Sequence, residues 1–339
     1  MRKLATIRKI SEIKPIEGAD KIELAVLDGW QVVIKKGEYQ VNDLVVYLEI
    51  DSWVPNELAP FLTPEGKEPK EYNGVKGERL RTKKLRGVLS QGLILPLSVL
   101  GKPEEIFTIG EGCIGADVSE ELGIQKWEPT LPLRLRGLAK GSFPSWVPKT
   151  DQERIQNLRN EFESYKKEVW QVTEKLHGSS CTFALDLDGN FEVCSRNLSL
   201  KFDENNAYWK AALKYDVERK MKEADLLGYA IQGEIIGEGI NGNQYKTDLE
   251  FYVFNIFSVH EGKYLAPSKT ESIAKELDLK HVPVLEYCKV PDVTLQELLV
   301  LAEGKSALNG SNREGLVYKS EDGKKSFKVI SNNWLLKNE

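Results

Sequence analysis

Lys175 and Arg196 flank a predicted β-hairpin and could together bind a phosphate group. The hairpin is predicted because an Asp-Gly pair at 188–189 separates two apolar runs, 181–187 and 191–194. The turn closes one end of the hairpin, so both cations lie at the other end, beside a glycine-containing loop. A lysine and an arginine at the end of a sheet, next to such a loop, indicate a phosphate-binding site.

The string Lys175-Leu176-His177-Gly178 allows two interpretations. It could be an ordinary solvated loop, since a K-x-H-G string should arise by chance in roughly one chain in thirty of this length. Alternatively, Lys175 is a nucleophile that takes a nucleotide from ATP and holds it in a covalent bond. The second interpretation requires partner residues in other parts of the chain.

The composition indicates an intracellular globular protein of two domains. The chain has 339 residues, of which 41% are apolar, and this is enough for two packed cores. The net charge of -5 does not indicate a nucleic-acid-binding protein, so any such surface must be local. The four cysteines lack C-x-x-C or zinc spacing, which favours a reducing, cytoplasmic location, with an organelle or the nucleus also open. The sequence shows no signal peptide or membrane-spanning apolar run, so we expect no membrane association.

Residues 1–125 are predicted to form a small closed or partly closed β-barrel. Short apolar strands punctuated by turns recur at 22–27, 30–34, 44–50 and 92–95. Residues 65–86 carry eight Lys or Arg against four Glu. That local excess of positive charge could follow a phosphate backbone, or it could belong to an ordinary solvated loop.

Residues 126–149 are predicted to be a linker, and a helix is predicted to follow it. The linker contains four prolines and three basic residues, namely Pro129, Pro132, Pro144, Pro148, Arg134, Arg136 and Lys140. Thr150 and Glu153 have the spacing of a capping box, which predicts a helix start at this point. The apolar face of this helix would comprise Ile155, Leu158, Phe162, Tyr165 and Val169.

Residues 150–339 are predicted to form a mixed domain of strands and helices. The string at 237–242 matches G-x-G-x-x-G, but a strand rather than a helix follows it, so we reject a dinucleotide site there. Two further helices are predicted to begin at the S/T-x-x-E motifs of Ser268 and Thr294. A final hairpin is predicted to pair 315–319 with 326–330.

Five segments of this domain resemble, in order, the motifs of covalent nucleotidyltransferases. Lys175–Gly178 resembles motif I in the K-x-H-G form of phage nick-sealing and trypanosome editing RNA ligases. Ser195–Asn197 resembles motif Ia, and Phe251–Asn255 resembles motif III, with Asn where many members carry Asp. Glu314–Lys319 matches the E-G-x-V-x-K of motif IV. Phe327–Ile330 resembles motif V, with one lysine where some relatives have two.

Two further segments resemble one type of RNA ligase in particular. Residues 150–157 look like the segment that opens the ligase domain. Residues 84–93 look like the K-x-R-G-x-x-S-x-G-M segment of OB-fold tRNA-binding modules, with Leu93 in place of Met. An N-terminal barrel ahead of the ligase domain, with eleven residues after Lys328, is similar to the Naegleria and Deinococcus type of RNA ligase. DNA ligases and capping enzymes instead place their OB domain after motif V.

The resemblance implies a fold and a reaction. The fold is α+β, with an N-terminal OB-like β-barrel and an adenylyltransferase domain of antiparallel sheets with flanking helices. The reaction is ATP-dependent ligation of RNA 3′-OH and 5′-phosphate ends, as in RNA nick repair, through lysyl-AMP and an RNA-adenylate. The implied partners are ATP, Mg2+ or Mn2+, and RNA, including a nicked duplex with RNA on the 3′-OH side. We expect the protein to be a monomer.

The resemblance also implies roles for individual residues. The implied catalytic residues are Lys175, His177 and Lys328. The implied nucleotide-binding residues are Arg154, Glu174, Arg196, Glu234, Phe254, Glu314, Val317 and Lys319. Of these, Glu234 and Glu314 would also bind the metal through water, Phe254 and Val317 would cover the two faces of adenine, and Arg154 would hold the departing pyrophosphate.

Lys175 must lose a proton before it can attack a phosphorus atom. From a reference pKa near 10.4, deprotonation at pH 7 costs roughly 4.6 kcal/mol. We expect Lys328 and a divalent metal to lower this cost by placing positive charge near the amine.

Two other functions are compatible with the motifs. One is a GTP-dependent capping-type nucleotidyltransferase, which labelling with ATP and GTP separately would distinguish. The other is a non-catalytic RNA-binding protein with a decayed ligase domain.

Overall fold

The computed structural model describes residues 3–102, 110–128 and 137–338. The chain divides into two compact units, Met1–Thr130 with Leu335–Glu339, and Leu131–Trp334. Four residues of the predicted linker, Pro129, Pro132, Arg134 and Arg136, lie outside the described residues. Within the described ranges, no helix is long and apolar enough to cross a membrane.

The first unit is built from short strands. They are β1 Ala5–Lys9, β2 Glu12–Pro15, β3 Ile22–Leu27, β4 Trp30–Lys35, β5 Leu44–Leu48, β6 Ser52–Pro55, β7 Lys70–Tyr72, β8 Val75–Arg79, β9 Lys83–Leu85, β10 Val88–Ser90, β11 Leu93–Pro96 and β12 Gln125–Lys126. They form sheets in the orders β1-β5-β11, β2-β3-β4 and β12-β6-β8-β7, and β9 pairs with β10 as a separate hairpin.

Strand β5 lies at the centre of the first unit and is buried on both faces. Val46 and Leu48 pack into one apolar cluster, whereas Val45 and Tyr47 pack into another. Because side chains alternate between the two faces of a strand, a strand between two cores needs an uninterrupted apolar run. The sequence Leu-Val-Val-Tyr-Leu meets that requirement.

The second unit combines two larger sheets with short helices. Its strands are β13 Ala139–Ser142, β14 Glu153–Arg154, β15 Val169–Lys175, β16 Ser179–Leu185, β17 Phe191–Cys194, β18 Leu198–Leu200, β19 Tyr229–Ile236, β20 Glu250–Ser258, β21 Lys263–Tyr264, β22 Lys280–His281, β23 Val284–Lys289, β24 Gly315–Ser320 and β25 Ser326–Ile330. The helices are α1 Arg159–Tyr165, α2 Ala207–Lys214, α3 Val217–Glu223, α4 Pro267–Glu276 and α5 Leu295–Leu301, and α6 Asn332–Asn338 begins in this unit.

The two sheets of the second unit are mostly antiparallel. One has the order β13-β18-β17-β16-β19-β20-β21, with β22 also pairing with β20. The other has the order β14-β25-β24-β15-β23. This arrangement confirms the predicted α+β class, and both predicted hairpins, β16–β17 and β24–β25, are present.

The predicted helix at Thr150 is wrong in its start. Glu153 and Arg154 instead form β14, which pairs in parallel with Phe327 and Lys328 of β25, and α1 begins at Arg159. The exposed edge of β25 provides backbone hydrogen bonds for this segment, which is why it is extended rather than helical. The Glu153 carboxylate accepts a hydrogen bond from the Asn157 amide at 2.8 Å instead of capping a helix.

The other two capping motifs differ in outcome. Thr294 forms a complete capping box with Glu297 at the start of α5, as predicted. Helix α4 begins at Pro267 with Ala266 at the N-cap position, so Ser268 lies inside the helix and caps nothing. Proline is well suited to the first turn because it has no N–H to satisfy.

The glycine-rich string at 237–242 lies in the loop between β19 and β20. It contains a short 3-10 turn, Asn241–Asn243, and no α-helix follows it, which agrees with the rejection of a dinucleotide site. The loop instead supports the segment after Lys175, since the Asn241 side-chain amide donates a hydrogen bond to the Gly178 carbonyl at 2.6 Å.

Candidate active site

Residues of strands β15, β16, β19, β20, β24 and β25 line a cavity of about 350 Å³ in the second unit. Residues 176–178 join β15 of one sheet to β16 of the other, so the K-x-H-G loop lies where the two sheets meet. In the pairing registers, Lys175 lies opposite Gly315 and Ser180 lies opposite Glu234. These pairings bring Lys175, Glu314 and Glu234 to the same wall of the cavity.

Ten of the eleven predicted site residues line this cavity. They are Glu174, Lys175, His177, Arg196, Glu234, Phe254, Glu314, Val317, Lys319 and Lys328. The eleventh, Arg154, lies on the neighbouring strand β14, next to Lys328 in the sheet and close enough to Lys175 to lower its pKa.

Glu314 connects the two polar residues of the K-x-H-G loop. Its Oε1 lies 2.8 Å from Lys175 Nζ, and its Oε2 lies 3.5 Å from His177 Nδ1. Burial raises the pKa of Glu314. Lys175 and His177 lower it by more than burial raises it, so the net shift of the pKa is downward. Glu314 is therefore a stable carboxylate that holds both side chains.

The expected depression of the Lys175 pKa by Lys328 together with a divalent metal stays a prediction. Burial lowers the Lys175 pKa, but the charges of Glu314 and Glu234 raise it, and the net shift is above its usual value. The cation with the largest opposing effect is Arg154. Lys328 Nζ lies 3.4 Å from Asp151 Oδ1, where a carboxylate partly neutralises its charge.

Glu234 has the opposite behaviour to Glu314. Burial raises its pKa to about 7, and Lys175 only partly offsets that effect. Glu314 raises it further, because two carboxylates share one lysine. At neutral pH, Glu234 is therefore close to half protonated and able to accept or release a proton.

Three charged residues of the cavity lining form a cluster. Asp151 lies 3.4 Å from the Lys328 ammonium and 3.3 Å from the Arg196 guanidinium. Arg196 is about half exposed at the cavity mouth, whereas Lys328 is mostly buried. Asp151 thus lies within ion-pair distance of both Lys328 and Arg196.

The cavity lining also includes Phe254, Val317 and Lys319. The Lys319 side chain is buried, and its ammonium donates a hydrogen bond to the Phe254 carbonyl. Burial lowers the pKa of Lys319 to about 7, with Glu271 opposing that shift. This region combines an aromatic ring, an aliphatic side chain and a hydrogen-bond donor, which suits a heterocyclic base.

Comparisons with known proteins agree with this geometry. An RNA ligase family model matches residues 168–330, and an OB-fold domain model matches residues 4–97. A mutant of the Naegleria gruberi RNA ligase with AMP and Mn is 42% identical, with 99% of each chain covered and a TM-score of 0.84. The chain belongs to the RNA ligase family. Among curated protein sequences, the chain has no significant match.

Two more structures of the Naegleria gruberi RNA ligase are similar to this ligase. One contains PPi (42% identity, TM-score 0.84), and the other is a mutant with ATP and Mn (43% identity, TM-score 0.83). Each covers 99% of this chain and 99% of the relative. Those ligands agree with the sequence-based prediction of ATP and Mg2+ or Mn2+. The OB-fold match confirms the OB-like fold predicted for the first unit.

Glu174 of the ligase has a different environment from its neighbour Lys175. Its Oε2 accepts a hydrogen bond from the Ala307 N–H at 2.8 Å, and burial raises its pKa. The carboxylate is thus used to anchor the segment at 306–307. We therefore expect any contact of Glu174 with a nucleotide to come from its backbone.

The carboxylates of the ligase fit a divalent ion that keeps most of its water. Within the described residues, no group of three or more His, Cys, Asp or Glu is placed to hold a metal ion by protein ligands alone. Glu234 and Glu314 provide oxygen atoms at the cavity wall, which suits Mg2+ or Mn2+ bound through water and phosphate oxygens.

Three residues important to this site have no role in the sequence analysis. Asp151 lies in the segment interpreted as a capping box, and its position in a ligase-like segment was the available signal. Tyr245 accepts a hydrogen bond from the His177 N–H at 2.9 Å, and the Trp334 ring lies 4.9 Å from the His177 ring. No local pattern indicates these two contacts, because 68 and 157 residues separate the partners.

Proposed function

We propose that Lys175 is the nucleophile of this ATP-dependent RNA ligase, which joins 3′-OH and 5′-phosphate ends. The observation that carries the proposal is the placement of the Lys175 amine 2.8 Å from Glu314 in a cavity that Lys328 and Arg196 also line. A nucleophile, carboxylates and phosphate-binding cations converge there on a volume of nucleotide size.

In the first step, Lys175 Nζ attacks the α-phosphorus of ATP. A phosphorus–nitrogen bond forms, the bond to the bridging oxygen breaks, and pyrophosphate leaves. The charges of Glu314 and Glu234 outweigh burial and hold the Lys175 pKa above its usual value, so the amine must give up a proton before it attacks. Glu314 orients the ammonium, and Glu234, with its pKa of about 7, is the better proton acceptor. A divalent ion, when bound, supplies positive charge that stabilises the phosphates and favours the neutral amine.

The cations of the cavity have separate tasks in this proposal. Lys328 and Arg154 stabilise the negative charge of the departing pyrophosphate. Arg196, at the mouth, binds the α-phosphate and then the RNA 5′-phosphate that takes the AMP. The 3′-OH finally displaces AMP from the 5′ end and seals the strand, with His177 serving these RNA-directed steps.

Adenine is proposed to bind between Phe254 and Val317. The base would stack on the Phe254 ring, and the aliphatic side chain would cover its second face. This arrangement supports binding of a purine nucleotide. Labelling with ATP and GTP separately tests whether the site prefers adenine to guanine.

Covalent labelling tests the central proposal. We expect wild-type protein to form a covalent adduct with α-labelled ATP and little with α-labelled GTP, read on a denaturing gel. Lys175→Ala should lose the ATP adduct, whereas Lys210→Ala, which removes an exposed lysine of α2, should keep it. Equal labelling of Lys175→Ala and wild type would contradict the proposal, and preferential labelling by GTP would favour the capping-type activity.

RNA is proposed to dock on the β9–β10 hairpin of the first unit. Two cations of the basic stretch at 65–86 already form ion pairs within the protein, Lys70 with Glu78 and Arg79 with Asp51. Fewer cations of this stretch are therefore available to RNA. Among the described residues, no carboxylate forms an ion pair with Arg81 or with the exposed hairpin cations, which are Lys83, Lys84 and Arg86. These exposed cations are available to neutralise the phosphates of an RNA backbone.

The salt dependence of binding tests the hairpin. Removing Lys83, Lys84 and Arg86 by alanine substitution should weaken binding to a nicked RNA duplex and reduce the slope of log K against log salt by about 2 to 3. Formation of lysyl-AMP should be unchanged. A matched triple variant of exposed lysines in the second unit (Lys210, Lys275 and Lys289, each to Ala) should keep the wild-type slope. An unchanged slope in the hairpin variant would refute RNA docking there.

Membership of the RNA ligase family does not by itself define the RNA substrate, the oligomeric state or the cellular location. We propose a nicked duplex with RNA on the 3′-OH side, and sealing assays with RNA or DNA on each side of the nick test this choice. We also propose a monomeric protein in the cytoplasm. The free thiols of all four cysteines support a reducing location, and mass measurement in solution tests the monomer.

A further inference from the structure

The His177 ring is held between a carboxylate and an indole. Its Nδ1 lies 3.5 Å from Glu314 Oε2, and its ring centroid lies 4.9 Å from that of Trp334, with the two planes at 59°. The Trp334 side chain is buried (5% exposed), whereas the His177 side chain is 30% exposed. His177 therefore presents part of its ring to the cavity while Trp334 covers another part.

Trp334 is itself fixed to the wall that carries the nucleophile. Its backbone N–H donates a hydrogen bond to Ser331 Oγ at 3.1 Å, and the Ser331 backbone N–H donates to the Glu314 carbonyl at 2.9 Å. The neighbouring Asn333 amide donates to the Glu303 carboxylate at 2.6 Å. The segment after β25 thus anchors the backbone of Glu314 and packs against the histidine that Glu314 faces.

The backbone and the ring of His177 are fixed by different residues. Its backbone N–H donates to the Tyr245 hydroxyl, and Tyr245 is buried. Trp334 contacts the ring and therefore restricts rotation about the side-chain torsions. Removing the indole should free the imidazole without releasing the loop that carries Lys175.

We propose that Trp334 is a positioning residue that keeps the His177 imidazole in the orientation needed for the RNA-directed steps of ligation. This inference rests on the function proposed above, in which Lys175 forms the adenylate and His177 serves the later steps. The effect of Trp334 is on the transition state of those steps rather than on RNA affinity, because Trp334 itself is buried beneath the histidine.

Single-turnover sealing of a pre-adenylylated RNA nick measures the predicted effect. We expect Trp334→Leu to lower the sealing rate about 2- to 10-fold, the range to which the interaction of one aromatic pair converts. The RNA concentration at half-maximal rate should not change. Trp334→Phe, which keeps a ring at this position, should restore most of the rate. Trp209→Leu is the matched control, because Trp209 packs on Phe191 and Phe202 outside the cavity.

A double-mutant cycle distinguishes positioning from a general structural role. If Trp334 acts through His177, Trp334→Leu in a His177→Ala background should cause no further loss of sealing rate. Multiplicative losses in the double variant, or failure of Trp334→Phe to restore the rate, would overturn the proposal. If Trp334→Leu does not fold, as judged by its thermal midpoint, Trp334→Met enters the same cycle with a side chain that fills the space. A wild-type protein that forms no lysyl-AMP would instead contradict the proposed function.

Discussion

Two lysines line the same cavity and have opposite electrostatic environments. Lys175 ends β15, with Glu314 at 2.8 Å, and its pKa lies above the usual value. Lys319 lies on the adjacent strand β24, opposite Gln171, and its pKa falls to about 7. The two lysines are four residues apart along the paired strands, which is about 13 Å.

Burial lowers the pKa of both lysines, so the difference comes from their neighbours. Lys175 faces two carboxylates, whereas the Lys319 ammonium is directed to the backbone carbonyl of Phe254. The more readily deprotonated amine is therefore not the proposed nucleophile. A low pKa in the protein alone does not identify the reactive lysine, because access to the phosphorus atom and the charges that arrive with the nucleotide also decide reactivity.

The largest expected effect is on covalent labelling by ATP after substitution of each of the two lysines. Lys175→Arg should reduce covalent labelling by ATP by at least about 1,000-fold, because a guanidinium does not lose a proton and cannot replace the nucleophile. Lys319→Met should keep labelling within about tenfold of wild type, since the Lys319 ammonium contacts Phe254, where adenine is proposed to bind, rather than the proposed phosphate-binding residues. Quantitative autoradiography over time checks both rates. Loss of labelling in Lys319→Met with retention in Lys175→Arg would reverse the assignment.

The next effect concerns stability and pH. The folded-state pKa of Lys319 is about 7, below its ordinary 10.5, so the unfolded chain binds the proton more tightly between these values. The free energy of unfolding should therefore gain about 1.4 kcal/mol per pH unit from this group as pH rises from 7 towards 10. Lys319→Met should lack this contribution, and urea unfolding at several pH values measures the difference. Parallel curves for wild type and variant would show that Lys319 is not desolvated.

The smallest effect concerns the pKa of Lys175. Glu314→Gln should lower it, and Glu234→Gln should lower it by less, since Glu314 has the larger influence. The 13Cε chemical shift of labelled lysine, followed against pH, reports each value. Glu271→Gln serves as the control, because it should lower the pKa of Lys319 and leave Lys175 unchanged. An equal response of Lys175 to all three changes would exclude a local cause.

The sequence alone predicted two kinds of feature correctly. These are turns, which depend on residues adjacent in the chain, and the motif loop, which was identified from the order of the motifs. The hairpins at Asp188 and Asp322 form because their turn residues favour the required backbone, and the K-x-H-G loop lies at a sheet end as expected. The capping motifs show where prediction from local sequence fails. Thr294 caps a helix, whereas the similar motif at Thr150 becomes a strand because β25 provides an edge.

Electrostatic conditions were harder to predict than positions. The presence of Lys175 and Lys328 near one another followed from the motifs, but Asp151 beside Lys328 did not, and it reduces the push that Lys328 was expected to exert. A pKa depends on every charge within several ångströms and on burial, so it is a property of the assembled site. Glu174 and Lys175 are adjacent in sequence yet face different partners for the same reason.

Gly178 limits how the cavity of this ligase could change. A Cβ atom at this position would lie 2.2 Å from the Ile235 carbonyl oxygen and 2.9 Å from Glu234 Cγ, so any side chain would push β19 outward. The same displacement would carry Glu234 away from Lys175 and alter the charge balance of the nucleophile. Selection or engineering for a larger substrate must therefore act on other residues of the cavity lining, such as Val282.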